Sequence, residues 1–341
     1  DLNLESFDTS SVKYMNTMFY GCNSLTKLDI SNFVTNNVVG MTGMFKQCRN
    51  LVELNLTSID TSNVTSMFQM FNACNSLKEL DLSNFNTSKV TSTNDMFYDC
   101  RSLEKLDISN FDTSNVTNMY DMFCGCKSLK ELDVSSFDTS KVDNMMSMFA
   151  NCSSLERLNI SNFNTSNVTV MNGMLRGCSK VETLNLKNIE LTNVKSMNEM
   201  FAGCTKLKSI LISEKFVASG DTTRMFNNCP NLTAIITTST TPVANQFKGQ
   251  LPAGTKLYVP NGCEDAYKEI LSGDTDASKI KPIIEPIGET EIGMLVGTSY
   301  EEQNYTVAGF GIEDAKYYMA YGYDVEVSGD VNTNECGIYK V

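Results

Sequence analysis

The chain has 341 residues, a formal net charge of −13, and no histidine or tryptophan. The absence of histidine excludes Ser-His-Asp and Cys-His nucleophile arrangements, as well as imidazole metal sites. The acidic composition disfavours nucleic acid, whose phosphates require a basic surface, and it disfavours electrostatic docking on anionic membranes. No apolar run approaches the roughly 18 residues of a membrane span, so no transmembrane helix is predicted.

A cysteine recurs every 26 residues along most of the chain, within the phrase M-F-x-x-C-x-x-L-x-x-L-D-[IL]-S-N-F-[DN]-T-S-x-V-T-x-M. The period is found at Cys22, Cys48, Cys74, Cys100, Cys126, Cys152, Cys178 and Cys204, and Cys229 follows after 25 residues. A fixed period of about 20 to 50 residues is typical of solenoids, whose coils pack on their neighbours. The sequence therefore predicts a β-rich (α/β) right-handed solenoid of about nine coils over residues 1–236, with parallel β-strands.

Each coil is predicted to contain a strand, a polar corner, a second short strand and a helical turn. In the coil around residues 103–126, Leu106 and Ile108 alternate with Asp107, as in a strand with one buried face. Residues 112–115 have the Asp, Thr, Ser and Asn side chains of a turn. The spacing i, i+3, i+4, i+7 of one helical face is found at Met119, Met122, Phe123 and Cys126.

Stacking of coils turns each repeated position into a column, and several columns are predicted to form the core. One contains Phe33, Ile59, Phe85, Phe111, Phe137, Phe163 and Ile189. Another contains the methionines Met18, Met44, Met70, Met96, Met122, Met148, Met174, Met200 and Met225. The cysteine column, including Cys74, Cys100 and Cys126, is expected to consist of buried free thiols, because parallel Cβ vectors do not suit the disulfide dihedral angle. Cys124 is predicted to be exposed.

Two outward rows of polar side chains form a candidate ligand-binding ladder on the first strand. One row contains Asp29, Asn55, Asp81, Asp107, Asp133 and Asn159, and the other includes Ser83, Ser109 and Ser135. Carboxylates stacked about 5 Å apart repel weakly in water. The rows are interpreted either as ordinary solvated side chains or as a track of calcium or glycan contacts.

The repeated phrase resembles the BspA-type leucine-rich repeats, in a 26-residue variant once catalogued as a domain of unknown function. The resemblance covers residues 1–236, with Thr93 and Thr222 in place of the first methionine and Leu175 in place of phenylalanine. It implies a leucine-rich repeat array in a surface protein of a host-associated bacterium, with a role in adhesion or host-protein binding. The family has no catalytic motif to carry over to this chain.

The composition changes after the array, because all six prolines follow Cys229. Residues 237–275 are interpreted as a cap with a strand at 256–260 and a helix at 264–271, and residues 276–288 as a linker. Residues 289–341 are predicted to form a small all-β C-terminal domain, and the pattern V-x-V-x-G-x-V-N-T-x at 325–334 resembles bacterial immunoglobulin-like modules. The first ten residues match the back half of a repeat, so we expect the chain to be part of a longer protein.

The function favoured by these patterns is binding rather than catalysis. Polar residues occur as repeated rows instead of one converging cluster, so no enzyme activity and no cofactor are predicted. The leading hypothesis is a secreted or wall-attached bacterial surface protein whose solenoid mediates adhesion to a host or neighbouring-cell protein, with a glycan as a possible ligand. The alternatives are a structural spacer and a calcium-dependent carbohydrate-binding module.

Overall fold

The structure, a computed structural model, describes residues 2–217, 220–242, 247, 251–260, 262–270 and 280–282. The chain winds into a parallel β-solenoid of about nine coils, as the period predicts. Coil 1 is residues 2–26 and coil 2 is residues 27–52; each later coil begins 26 residues further on, up to coil 9 at residues 209–233. The immunoglobulin-like module predicted at 289–341 lies outside the described residues.

Short parallel strands line one side of the solenoid, which we call the sheet face. They are β1 (Lys27–Asp29), β2 (Glu53–Asn55), β3 (Glu131–Leu132), β4 (Arg157–Leu158), β5 (Thr183–Asn185), β6 (Ser209–Ile212), β7 (Ala234–Thr237), β8 (Lys256–Val259) and β9 (Ile280–Pro282). β1 pairs with β2, β3 pairs with β4, and the last five strands form a sheet in the order β5-β6-β7-β8-β9. Equivalent residues face each other, as in the pair Leu28 and Leu54. Coils 4 and 5 contain no strand, so the sheet face is interrupted there.

A second line of backbone contacts joins the coils without interruption from coil 1 to coil 9. We call it the turn ribbon; it comprises residues 14–22 of coil 1 and their equivalents, ending at residues 221–229. In coil 1, the N–H groups of Phe19 and Gly21 donate to carbonyls of coil 2 at 2.9 and 2.8 Å. The N–H groups of Met18 and Tyr20 instead donate to carbonyls three residues earlier. Each coil is therefore bonded to the next at every second residue of its ribbon.

The helical turn predicted for this segment is wrong. Two residues of each coil's ribbon have positive φ, such as Gln69 at 58° and Ala73 at 59° in coil 3. A right-handed helix has negative φ throughout, so these residues break any helix into successive turns. The apolar spacing is periodic because consecutive turns return side chains to the core, and the alternate N–H groups are left to bond the next coil.

The predicted core columns are buried, except for Met18 and Cys22 of coil 1. Phe85, Phe111 and Phe137 are each 2 or 3% exposed, whereas Met18 in coil 1 is 38% exposed. The cysteine column contains free thiols that are buried from Cys48 to Cys229. Each of these thiols donates to a backbone carbonyl of the preceding coil, and the bonds of three of them, Cys74, Cys100 and Cys126, are 3.1 to 3.2 Å long.

A further column of phenylalanines lies under the turn ribbon. Consecutive rings from Phe19 to Phe149 are stacked with centroids 5.6 to 5.7 Å apart and nearly parallel planes. Leu175 interrupts this stack, which resumes with Phe201 and Phe226 at 5.3 Å. Offset aromatic stacking at such distances stabilises a fold beyond the burial of ring area, so this column ties adjacent coils together.

The prediction that Cys124 is exposed is wrong. Its side chain is buried, as are those of Asn72 and Ala150, which occupy the same position in other coils. Burial and the neighbouring carboxylate of Asp121 raise the pKa of Cys124 to about 12. The variable residue types at this position suggested exposure, but the ribbons of adjacent coils lie close enough to cover small side chains.

The polar corner of each coil is also bonded to its neighbours. The Thr87 hydroxyl is buried and donates to the carbonyl of Asp112 in the next coil at 2.9 Å. The Asn110 amide donates to the carbonyls of Leu82 and Phe85 at 3.0 and 2.8 Å. The Asn110 amide therefore bonds the preceding coil, whereas the Thr87 hydroxyl bonds the following one.

The end of the array is covered by further strands and a helix. β8 pairs with β7 and with β9, and the helix α1 (Glu264–Ile270) lies next to β9. Tyr267 of α1 is fully buried, and its hydroxyl donates to the carbonyl of Ser239 at 2.8 Å. β9 consists of three residues of the segment interpreted from sequence as a linker. No helix in the described part of the chain is long and apolar enough to cross a membrane.

Candidate functional site

The predicted ladder residues lie on the sheet face, at the end of the strand in each coil that forms one. Asp29, Asp81, Asp107 and Asp133 are exposed, and Asn55 and Asn159 are partly buried. In all six, the side-chain Oδ1 accepts a hydrogen bond of 2.8 to 3.2 Å from the backbone N–H two residues later. This Asx turn ends the strand and starts the corner. The structure therefore explains the Asp or Asn at this position by local backbone geometry.

The serines of the second row are the donors in these turns. Ser83 and Ser109 donate to the preceding aspartate from both the backbone N–H and the hydroxyl, whereas Ser135 donates to Asp133 from its backbone N–H. Bonds to the ionised carboxylate favour the charged form. They lower the pKa of Asp81, chiefly through the Ser83 hydroxyl, and the pKa of Asp107, chiefly through the Ser109 N–H.

The ladder does not converge on a metal site within the described residues. One oxygen of each carboxylate is already bonded to its own turn, and the side chains lie in a line along the array. Calcium takes six to eight oxygen ligands around one point, which a single row does not supply. Nowhere in the described ranges do three side chains of His, Cys, Asp or Glu lie close enough to hold a metal ion.

An open hollow of about 780 Å³ lies on the sheet face over coils 2 to 4. It is lined by Lys27, Leu28, Asp29, Val52, Glu53, Leu54, Asn55, Lys78 and Glu79. Apolar side chains contribute to its floor, since Leu54 is only partly buried and Val52 is 47% exposed. The sequence did not indicate this hollow, because the repeat makes every coil look alike; the only signal is the presence of valine at position 52, where other coils have polar residues.

Charged side chains surround the hollow and continue along the sheet face. Lys27 forms an ion pair with Glu53 across β1 and β2 at 2.8 Å, and Lys78 lies 3.9 Å from Glu104. These side chains are largely exposed, so each pair contributes at most about 1 kcal/mol to stability. Their charges are therefore available to a partner at little cost to the fold. A concave surface with an apolar floor and a polar rim is suited to binding.

The repeats match a known protein family. A family model described as "Mycoplasma protein of unknown function, DUF285" matches residues 1–78, 49–133 and 126–239. The chain belongs to this family. The DUF285 matches include every coil of the solenoid, and the residues that line the hollow fall within the first two matched ranges.

Solved structures similar to this DUF285 protein include two bacterial proteins. One is a leucine-rich repeat protein from Bacteroides ovatus, with 16% identity and a TM-score of 0.28, covering 80% of this chain and 88% of that one. The other is the pneumococcal vaccine antigen PcpA, with 16% identity and a TM-score of 0.30, covering 77% of this chain and 72% of that one. Because both TM-scores are below 0.5, these likenesses establish neither the fold nor a partner of the DUF285 protein. No curated protein matches the chain.

Proposed function

We propose that this protein is a non-enzymatic, bacterial cell-surface binding protein that holds a macromolecular partner on the sheet face of its solenoid, with a protein as the primary ligand and a role in adhesion. The observation that carries the proposal is the open hollow over coils 2 to 4, where exposed Val52 and partly buried Leu54 lie among charged side chains. An exposed apolar floor within a polar rim is typical of protein interaction sites. The resemblance to BspA-type leucine-rich repeats supports the same class of function.

The extracellular location is part of the proposal and is supported by the family resemblance. The buried thiols are compatible with it, because the described cysteines need no partner to be stable in the core. The ladder from Asp29 to Asn159 continues the rim of the hollow along the sheet face, so it is proposed as an extension of the same binding surface.

The test is binding of the purified protein to an array of extracellular-matrix proteins and glycans, with and without a calcium chelator. Saturable binding to a protein that persists with the chelator is the expected result. Binding to a glycan that is lost with the chelator would replace the proposal with the calcium-dependent carbohydrate module. No binding to any surface of the array would favour the structural spacer.

A matched pair of variants locates the binding face. Val52 in the hollow and Val34 outside it are both 47% exposed, so aspartate at either position costs the fold little. Val52→Asp is expected to weaken binding at least about tenfold by placing an unpaired charge on the apolar floor. Val34→Asp is the control and should bind like the unmodified protein. Equal effects of the two substitutions would contradict the assignment of the hollow.

A further inference from the structure

The middle of the solenoid is held differently from its two ends. Residues 79–81 and 105–107 of coils 4 and 5 form no strand, whereas the equivalent residues of coils 6 and 7 form β3 and β4. The central leucines Leu80 and Leu106 are each 8% exposed, compared with 2% for Leu132. Between coils 4 and 5, the turn ribbon and the corner residues therefore carry the contacts that a strand ladder supplies elsewhere.

The turn ribbon of these two coils contains two stacked carboxylates. Asp95 and Asp121 occupy the same position in coils 4 and 5, with φ of 56° and 53°. The Asp95 N–H donates to the carbonyl of Tyr120 at 2.8 Å, which brings the two aspartates next to each other. Asp121 is 8% exposed and Asp95 is partly buried. At this position the other coils have Thr17, Gly43, Gln69, Ser147, Gly173, Glu199 and Arg224, so only this junction stacks two acids.

The polar groups around the pair are mostly neutral. Asp95 is faced by the side chains of Gln69 and Asn94, and Asp121 by those of Tyr120, Cys124 and Ser147. Hydrogen bonds from these side chains favour the ionised carboxylates, but they offset only part of the desolvation free energy that burial imposes on the charges. The neutral surroundings therefore leave the two negative charges without a direct counter-ion.

The charged side chains nearest to Asp95 and Asp121 bind other partners. The positive charge of Lys46, two coils away, lowers the pKa of Asp95 only in part. Its ammonium group donates a hydrogen bond to the Gln69 side chain of the intervening coil. The positive charge of Arg176, two coils after Asp121, lowers the pKa of Asp121 only in part. Arg176 forms its ion pair with Glu199, at 3.1 Å. The third acid of this region, Asp99, pairs with Arg101 at 2.7 Å. No basic side chain of the described chain thus lies between Asp95 and Asp121.

Burial therefore raises the pKa of both carboxyls. The pKa of Asp95 rises to about 6, chiefly through desolvation and secondly through the charge of Asp121. The pKa of Asp121 is also raised, chiefly through desolvation. Coil 4 has a further defect, because Thr93 replaces a core methionine and its buried hydroxyl has no hydrogen-bond partner. An unpartnered buried hydroxyl destabilises the fold.

We propose that the junction between coils 4 and 5 is a pH-sensitive hinge, which is closed in mild acid when Asp95 is protonated and loosens near neutral pH when Asp95 and Asp121 are both ionised. The interrupted sheet, the unpaired Thr93 hydroxyl and the stacked carboxylates all occur in the same two coils. The proposal concerns the scaffold and is independent of which partner the sheet face binds.

The direction of the pH effect follows from proton linkage. An unfolded aspartate titrates near 3.8, so the folded state binds these protons more tightly than the unfolded chain. The stability that protonated Asp95 contributes is therefore fully present below about pH 3.8 and is lost as the pH rises through about 6. The sequence contains no histidine, so no imidazole titrates in this window. The Asx-turn carboxylates have lowered pKa values and change stability only in stronger acid.

The first measurement is thermal unfolding of the whole protein, followed by circular dichroism between about pH 5 and pH 7.5. The melting temperature is expected to fall by about 5 °C over this range. Asp95→Asn and Asp121→Asn should raise the melting temperature at the upper pH and flatten the profile, because asparagine tolerates positive φ and carries no charge. Asp143→Asn, at an exposed position of coil 6, is the control and should retain the full slope.

A second measurement locates the change and does not depend on the variants folding. Native-state hydrogen exchange of the unmodified protein, corrected for the intrinsic pH dependence, compares peptides covering residues 93–124 and 171–204. Protection of the first peptide should be several-fold lower at the upper pH, while that of the second stays constant. A slope that persists in Asp95→Asn, or an equal change in both peptides, would overturn the proposal.

Discussion

The sheet face and the turn ribbon both join the coils by parallel backbone contacts, but only the ribbon is continuous. It links coil 1 to coil 9 through eight successive bridges, whereas the strands form two separate pairs and one five-stranded sheet. The residues beneath the ribbon are the repeated Met, Phe and Cys, whose side chains are stacked and buried. The difference indicates that the ribbon, with the buried Met, Phe and Cys columns beneath it, holds the array together along its whole length.

The residues of the sheet face act mainly within their own coil. Its leucines bury one side of each strand, and its Asp or Asn residues close the turn that follows. Neither task requires contact with the neighbouring coil, so a coil tolerates the loss of its strand if the ribbon is intact.

The largest expected effect comes from cutting the ribbon's aromatic stack. Phe123→Ala removes a fully buried ring that stacks on Phe97 and Phe149, and it should lower the free energy of unfolding by about 3–5 kcal/mol. On the sheet face, Leu106→Ala should cost only about 2 kcal/mol, because this side chain lies where no strand is formed.

Urea unfolding followed by circular dichroism measures both losses. Phe7→Ala is the control, since this ring is 52% exposed and its removal should change the unfolding free energy by less than about 0.5 kcal/mol. Equal losses for the Phe123 and Leu106 substitutions would contradict the conclusion that the ribbon side contributes more to stability than the sheet face.

A smaller effect is expected in the reactivity of the buried thiols. Burial raises the pKa of Cys100 to about 12, so alkylation requires the coil to open. Cys100 and Cys126 belong to the coils without strands and should be labelled about tenfold faster than Cys178 and Cys204, which corresponds to about 1.4 kcal/mol in the opening free energy.

Labelling with iodoacetamide under native conditions, with the sites resolved by mass spectrometry, tests this order. Cys22 and Cys263 are partly exposed and serve as the positive controls that react first. If all four buried thiols were labelled at one rate, opening would be a property of the whole array and not of its interrupted centre.

The smallest effect is expected for the ladder on the sheet face. Asp107→Asn should change the unfolding free energy by less than about 0.5 kcal/mol, because an amide oxygen accepts the same N–H bond, as Asn159 does. Asp107→Ala removes the acceptor and should destabilise the protein more than Asp107→Asn in the same urea experiment. A large loss for the asparagine variant would show that the charge itself, not the Asx turn, holds the corner.

Much of the fold follows from the period of the sequence. Because equivalent residues of successive coils meet, the recurrence of cysteine at 26 residues was enough to predict a parallel solenoid and its buried columns. The Asx turns at Asp29 and Asp81 also correspond to the turn chemistry of these residues, although the row was interpreted as a possible ligand track. Its role in binding stays a prediction.

The sequence by itself determined the number of coils, the core columns and the parallel pairing, because each depends only on which residues recur. The tertiary structure alone decided the ribbon conformation, since positive φ at residues such as Gln69 and Asp95 is forced by bonds to the next coil and not by residue type. It also decided that Cys124 is buried, and that Asp95 and Asp121 lie in adjacent coils at a position shielded from water. Burial and charge pairing depend on what the neighbouring coil places nearby, which a pattern within one coil does not contain.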